Sequence, residues 1–400
     1  MATYNITPTI EKDYEDNGEL HFILKDIHVS VANALRRTIM MEIPVVVIPT
    51  ETVDVNQCTV FTNTTRFHNE IVKQRLSTIP IMTQDLEAFP EKYKLIVKVK
   101  NETDHELRWV TTDDFILQDK QNEQPIDEME VRKYFPHDEK TDRPIDFLRL
   151  RPAIGPTIPG EEIHLTAEFA VSNAKQNGMY NVASKCVYFN VIDAEARDNL
   201  WSLHEQKYKD EGVPEEEIKF EKKNFNCLDA QRCYKTNENG EPNEFEFVIK
   251  TIGQYSNYQL VYLATTILAK KLASFAQQVG SQVVPIHESK NSRDLGYTSV
   301  TVSSMECSYD IILEEEDYTL GLLLEHFLFA LHYQEEENLT YVGFKKYHPH
   351  DDYSVIRMAF KNDNSALLLT KQYLIKACAE AQRIMEIIQK KFHRGNLGSP

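Results

Sequence analysis

The 400-residue sequence predicts an α+β fold of two strand–helix units, and three observations carry it. A strand followed by a helix opens the chain at residues 20–43. The same order returns at 245–279, and a smaller version fills the residues after 298. In each case the helix carries more apolar face than a small sheet can cover, so helix-on-helix packing between the units follows. Periodicity alone leaves open that each helix covers only its own sheet.

Composition sets the outer bounds. With 42% hydrophobic and 26% charged residues the chain suits a globular protein of two or three domains. A net charge of -18 opposes adhesion of the bulk surface to nucleic acid or anionic membrane. The six cysteines are scattered with no C-x-x-C pair, which argues against a zinc ribbon or disulfide framework and for free thiols in a reducing compartment. No apolar signal-like segment opens the sequence, and no run of about eighteen apolar residues occurs. An intracellular protein is expected.

Leu20–Lys25 alternates as a strand and leads into a helix. Val29, Ala32, Leu35, Ile39, Met40 and Ile43 share a face of that helix, Ser30 is placed to cap it, and Pro44 limits it. Its polar Asn33 and paired Arg36 and Arg37 suit acidic or carbonyl-rich partners. Val45–Ile48 is a buried strand or core segment. Val53–Thr62 reads as a strand, and Ile71, Val72, Leu76 and Ile79 as a short helix stopped by Pro80. Tyr93–Lys100 and Leu107–Val110 are neighbouring strands. Residues 119–143 are polar enough for a loop. Asp146–Pro152 and Glu162–Ala170 are strands joined by a Pro/Gly-rich turn, and Cys186–Val191 is another. Residues 193–244 read as short helices and loops.

Phe245–Lys250 is a strand. A long helix after Gly253 aligns Leu260, Val261, Ala264, Ile267, Leu268, Leu272, Phe275 and Val279. Gly280–Gly296, without apolar period, reads as a flexible linker. Beyond it Val300–Val302 and Tyr309–Leu313 are strands, Thr319 caps a helix to about Leu331, and Leu339–Phe344 and Tyr353–Phe360 are strands. A terminal helix aligns Leu367, Leu374, Ala377, Cys378, Ala381, Ile384, Met385 and Ile388.

Catalytic signatures are weak. Asp113-Asp114 and Asp351-Asp352 lack the third nearby acid that a two-metal site needs and read as turns. His348-Pro349-His350-Asp351 reads as a surface turn. Glu314–Asp317 suits the positive end of the following helix. No phosphate-cradling glycine loop or Ser/His/Asp set is present.

Asn33-Ala34-Leu35-Arg36-Arg37 followed by Glu42-Ile43-Pro44 resembles the first helix of the assembly proteins of RNA polymerase. That family comprises the bacterial alpha amino-terminal domain, its archaeal D counterpart and the third-largest subunit of eukaryotic polymerase II. Glu70, Arg75, Leu76, Ile79 and Pro80 match its second signature, with Asn69, Gln74 and Ser77 departing from it. Trp109–Asp114 and Leu148-Arg149-Leu150 fit in the expected order. The unit after the linker is similar to the smaller partner, the archaeal L protein and the eleventh subunit of polymerase II. Asp317-Tyr318-Thr319-Leu320-Gly321 and Val342–Pro349 carry that likeness, with Tyr318 and Tyr347 as departures. Both partners in one chain resemble the fused subunit of large cytoplasmic DNA viruses of eukaryotes.

The resemblance implies two alpha-amino-terminal-like dimerisation units paired within one chain. Residues 1–50 and 165–280 would form the D-like unit, 51–164 an inserted mainly β domain, 281–297 the linker and 298–400 the L-like unit. It implies a non-catalytic assembly platform without cofactor or metal. The partners would be the two largest polymerase subunits and other small ones, with DNA reached only through the complex. No membrane and no homo-oligomer is required, and location would be the virion and host cytoplasm. Asn33, Arg36, Arg37, Glu70 and Arg75 would dock the large subunits. Leu35, Ile39, Leu260, Ile267, Leu268, Phe275, Leu320, Leu374, Ala381 and Met385 would form the internal pseudo-dimer core. A nucleotidyltransferase and a free-standing dimerisation adaptor are the rival readings.

Overall fold

The computed structural model describes residues 6–155, 157–297, 299–301, 305–335, 338–361 and 366–393. Strands β1 (Thr9–Asp16) and β2 (Glu19–Lys25) precede helix α1 (Val29–Met41) and strands β3 (Val45–Val47) and β4 (Cys58–Asn63). Helices α2 (Asn69–Ser77) and α3 (Ala88–Lys92) precede β5 (Tyr93–Lys100), β6 (Arg108–Thr111) and β7 (Phe115–Asp119). Helix α4 (Glu128–Tyr134) leads to β8 (Asp146–Leu150), β9 (Glu162–Glu168), β10 (Ala170–Ser172) and β11 (Ala183–Asn190). Next come α5 (Ala194–Asp210), α6 (Glu215–Cys227), β12 (Glu244–Thr251) and α7 (Asn257–Gly280). Last are β13 (Ile286–Glu288), β14 (Ser308–Glu314), α8 (Tyr318–Leu328), β15 (Leu339–Lys345), β16 (Tyr353–Phe360) and α9 (Ala366–Phe392).

The chain divides into two compact units: Met1–Ile39 with Lys185–Lys250 and Asn257–Pro400, and Met40–Ser184 with Thr251–Ser256. The second is wider than the 51–164 insert expected from sequence.

In the first unit two four-stranded sheets run β1-β2-β12-β11 and β13-β14-β16-β15. Leu20, Phe22 and Leu24 of β2 face inward at period two and pair antiparallel with Ile249, Phe247 and Phe245 of β12. The Phe22 and Phe247 rings stack with centroids 4.9 Å apart. Helix α7 packs along α9, and α8 also packs on α9. Gln389 Nε2 donates to Thr266 Oγ1 at 2.7 Å between the two long helices. Helices α5 and α6 carry a small core of their own from Trp201, Ile218 and Phe225, joined by Ala230 just after α6.

In the second unit the sheet β4-β9-β5-β7 stands with the two-stranded ribbons β6-β8 and β10-β3. Tyr93, Leu95, Val97 and Val99 alternate into one core with Val72 and Leu76 of α2 and Phe147 of β8. On the other face of β5 Lys94 and Ile96 are half-buried and Lys98 and Lys100 exposed.

Several expectations are corrected. Helix α1 buries Val31, Ala32, Ala34, Leu35, Thr38 and Ile39, whereas Val29 is exposed. The buried stripe is wider than, and rotated from, the predicted one. Its cap is His28 rather than Ser30, because the Ser30 N–H donates to His28 Nδ1 at 3.2 Å. Strand β4 starts only at Cys58, with Val53 exposed. The polar stretch 119–143 contains α4, anchored by buried Val131 and Phe135 at helical spacing. Strand β1 is an addition to the expected elements, since its exposed, charged residues give no alternation to read. Helix α8 ends at Leu328 and continues as a π-helix, Phe329–Glu335. Asp317, not Thr319, caps it, accepting the Thr319 N–H at 2.9 Å. Of the expected strand 300–302, Val300 is buried outside any strand and Val302 lies outside the described residues.

The expected linker also differs. Strand β13 pairs antiparallel with β14, Ile286 opposite Ile311. Ser289 and Ser292 hydroxyls donate to the fully buried Asp310 carboxylate at 2.7 and 2.5 Å, and Arg357 Nε donates to it at 2.6 Å. Burial alone would push the Asp310 carboxyl up, but these donors outweigh it and hold it below the usual range. Long-range polar bonds order a stretch that lacks apolar periodicity.

Candidate functional site

In the first unit, the two arginines of α1 serve different ends. Arg37 Nη2 meets Asp317 Oδ2 at 2.5 Å, and Arg37 Nε donates to Thr319 Oγ1 at 2.8 Å. Because Asp317 Oδ1 caps α8, one carboxylate ties the arginine of α1 to the start of α8. Both side chains are mostly buried, at 21% and 24% exposure. Arg37 is thus engaged within the chain. Arg36 instead reaches back along its own helix, donating to Asn33 Oδ1 from Nη2 at 3.1 Å and from Nε at 3.3 Å. This bond orients the guanidinium without neutralising it.

A groove of about 790 Å³ opens beside Asn33, lined also by His28, Tyr188, Glu241, Glu325 and His326. The His28 and His326 rings lie parallel with centroids 3.9 Å apart. Because His28 Nδ1 accepts the Ser30 N–H, its neutral form carries the proton on Nε2. Burial pushes His326 down to about 3, with the neighbouring His28 adding to the effect. Burial also pushes Glu325 up, although its carboxylate accepts the Phe344 N–H at 3.0 Å.

The residues expected in a helix-pairing core lie as follows. Leu35, Ile39, Leu260, Leu268, Phe275, Leu320, Leu374, Ala381 and Met385 are buried, and Ile267 is half-buried. At the edge of this core Lys271 of α7 pairs with Glu316 at 3.2 Å, just before α8.

In the second unit, Glu70 is exposed on α2 and Arg75 lies one turn on. Arg75 Nε donates to the Phe147 carbonyl at 2.8 Å and its guanidinium sits 5.7 Å from the Phe67 ring centroid. Ser77 Oγ donates to the Ile48 carbonyl at 2.6 Å, holding the end of α2 against the segment after β3. Asp113 pairs with Arg132 and His137, and Asp114 closes a capping box with Thr111, so both are structural. Among the described residues no group of three or more His, Cys, Asp or Glu side chains is placed to hold a metal ion. No helix among them is long and apolar enough to cross a membrane.

Sequence reasoning misses the partner of Arg37. The acidic run before α8 suggests only an effect on the helix end, and a contact spanning 280 positions leaves no local trace.

The family model described as the RNA polymerase Rpb3/Rpb11 dimerisation domain matches residues 21–272, more than half the chain. The chain belongs to that family. The matched span runs from β2 through α1 and most of α7, so it contains both the opening helix and the first long helix of the packed pair. The DNA-directed RNA polymerase subunit Rpo3 of Pyrococcus furiosus is 41% identical to this chain over 64 residues. That segment is 16% of this chain and 22% of the archaeal protein. Small antiparallel sheets with packed helices make this dimerisation-domain protein α+β.

Proposed function

We propose that the chain is a non-catalytic assembly platform of a multisubunit DNA-directed RNA polymerase, with both dimerisation halves in one polypeptide. The observation that carries this reading is the packing of α7 along α9 in a chain of the Rpb3/Rpb11 family. Residues 1–50 and 165–280 act as the D-like half, 298–400 as the L-like half and 51–164 as the insert. Joining the halves makes their pairing intramolecular, at an effective concentration on the order of millimolar for a short connection. The two largest subunits then dock on Asn33, Arg36, Glu70 and Arg75. Arg37 serves the internal pairing through Asp317. The fused arrangement is that of large cytoplasmic DNA viruses, so the setting is viral transcription in virion and host cytoplasm.

Affinity purification of the tagged full chain from producing cells tests this. Co-purification of the two largest polymerase subunits supports the platform. Recovery of the chain alone, or as a free dimer, overturns it in favour of a free-standing adaptor.

A further inference from the structure

The second unit carries two exposed arginine–aromatic pairs joined through one strand. Arg149 of β8 lies 5.7 Å from the Trp109 ring centroid, its cross-strand partner on β6. Arg75 lies at the same distance from Phe67 and donates to the 146 and 147 carbonyls of β8. Both pairs are thus tied to β8, whose positions 147 and 149 are about 7 Å apart along the strand. Trp109 is 53% and Phe67 42% exposed, and Ile71 and Leu107 are exposed beside them. Arg66, Arg75 and Arg149 have no carboxylate partner among the described residues, in a chain of net charge -18.

We propose that Trp109 and Arg149, with Phe67 and Arg75, bind an acidic polypeptide segment that carries apolar side chains between its carboxylates. The arginines supply planar forks for carboxylates, and the exposed rings supply apolar area, the pairing that dominates protein interfaces. A nucleic-acid strand fits less well. One face of each ring is already occupied by a guanidinium, which leaves less surface for stacked bases. The proposal rests on the assembly reading only in taking the segment to belong to another subunit; the binding chemistry stands apart from it.

The test uses the full chain and labelled twelve-residue peptides followed by fluorescence anisotropy. One peptide alternates Asp and Glu with Leu and Phe, a second replaces its acids with Lys, and a twelve-nucleotide oligothymidylate serves as control. The acidic peptide is expected to bind. Trp109→Ala and Arg149→Glu should each weaken it at least tenfold, Trp109→Phe should retain most affinity, and the lysine peptide should not bind. Unchanged melting of the variants separates lost contact from lost fold. Absence of acidic-peptide binding, equal binding by the variants, or tighter Trp109-dependent binding of the oligothymidylate overturns the proposal. Co-purification of large subunits by a Trp109→Ala chain that no longer binds the peptide would leave the platform standing. Failure of wild-type co-purification with peptide binding intact would sink the platform alone.

Discussion

The Arg37 guanidinium and the Asp317 carboxylate meet at 2.5 Å across 280 positions of sequence. Asp317 also caps α8 through the Thr319 N–H, so the pair links a tertiary contact to a helix start. The neighbouring Arg36 bonds Asn33 on its own helix. Arg37→Glu should therefore lower stability by about 2–4 kcal/mol, through repulsion of a half-buried carboxylate and loss of charge-assisted bonds. Arg36→Glu should change it by less than about 1 kcal/mol. Chemical denaturation of the two variants checks this, and equal effects would deny the division of labour. Sequence resemblance alone places both arginines on one docking face.

Leu268 and Leu374 have zero exposure on the two long helices that pack together. An aspartate at either position buries an uncompensated charge and should cost about 3–5 kcal/mol. Leu374→Ala should cost about 2–5 kcal/mol through the cavity it leaves. Half-buried Ile267→Ala should cost less than either. Urea midpoints at constant slope measure the order, and a larger loss at Ile267 would reverse it.

His326 is held neutral. Its pKa of about 3 in the fold lies below the ordinary 6.5, so under acid conditions the folded chain binds fewer protons than the unfolded chain. Its contribution is complete above pH 6.5 and declines as pH falls toward 3, at up to about 1.4 kcal/mol per pH unit. Glu241 acts in the opposite direction on the stacked His28, which burial also lowers. Stability of wild type should fall between pH 6.5 and 4.5 more steeply than that of His326→Phe, measured by denaturation across that range. Identical slopes would show that the ring stack is indifferent to protonation.

Gly321 explains one feature of the Asp317–Gly321 signature. A Cβ at this position would lie 2.0 Å from Phe344 Cε2 of β15, so α8 approaches the strand only with glycine there. Gly321→Ala should cost about 1–3 kcal/mol despite the higher helix propensity of alanine. Thermal melting measures the shift, and stabilisation would mean that the ring moves aside freely.

Much of this arrangement is legible in the residues. Period-two runs such as Leu20–Lys25 and Phe245–Lys250 are paired neighbours in the fold, because burial on one face fixes both pattern and register. The faces of α7 and α9 are legible for the same reason at helical period, except that Leu367 at the start of α9 is exposed and Ile267 of α7 half-buried. Segments without one-sided burial are not. Strand β1 is exposed along nearly all its length, and α4 rests on two anchors within a polar stretch.

The sequence by itself determined which faces of the chain must leave water, and through short motifs its kinship with the polymerase dimerisation family. Tertiary structure alone decided what the polar groups do. Arg37 found Asp317, and Ser289 and Ser292 found Asp310, turning an apparent tether into an ordered edge. Apolar burial repeats along the chain and leaves a period. A directional bond between distant groups depends on where folding brings them, and leaves none.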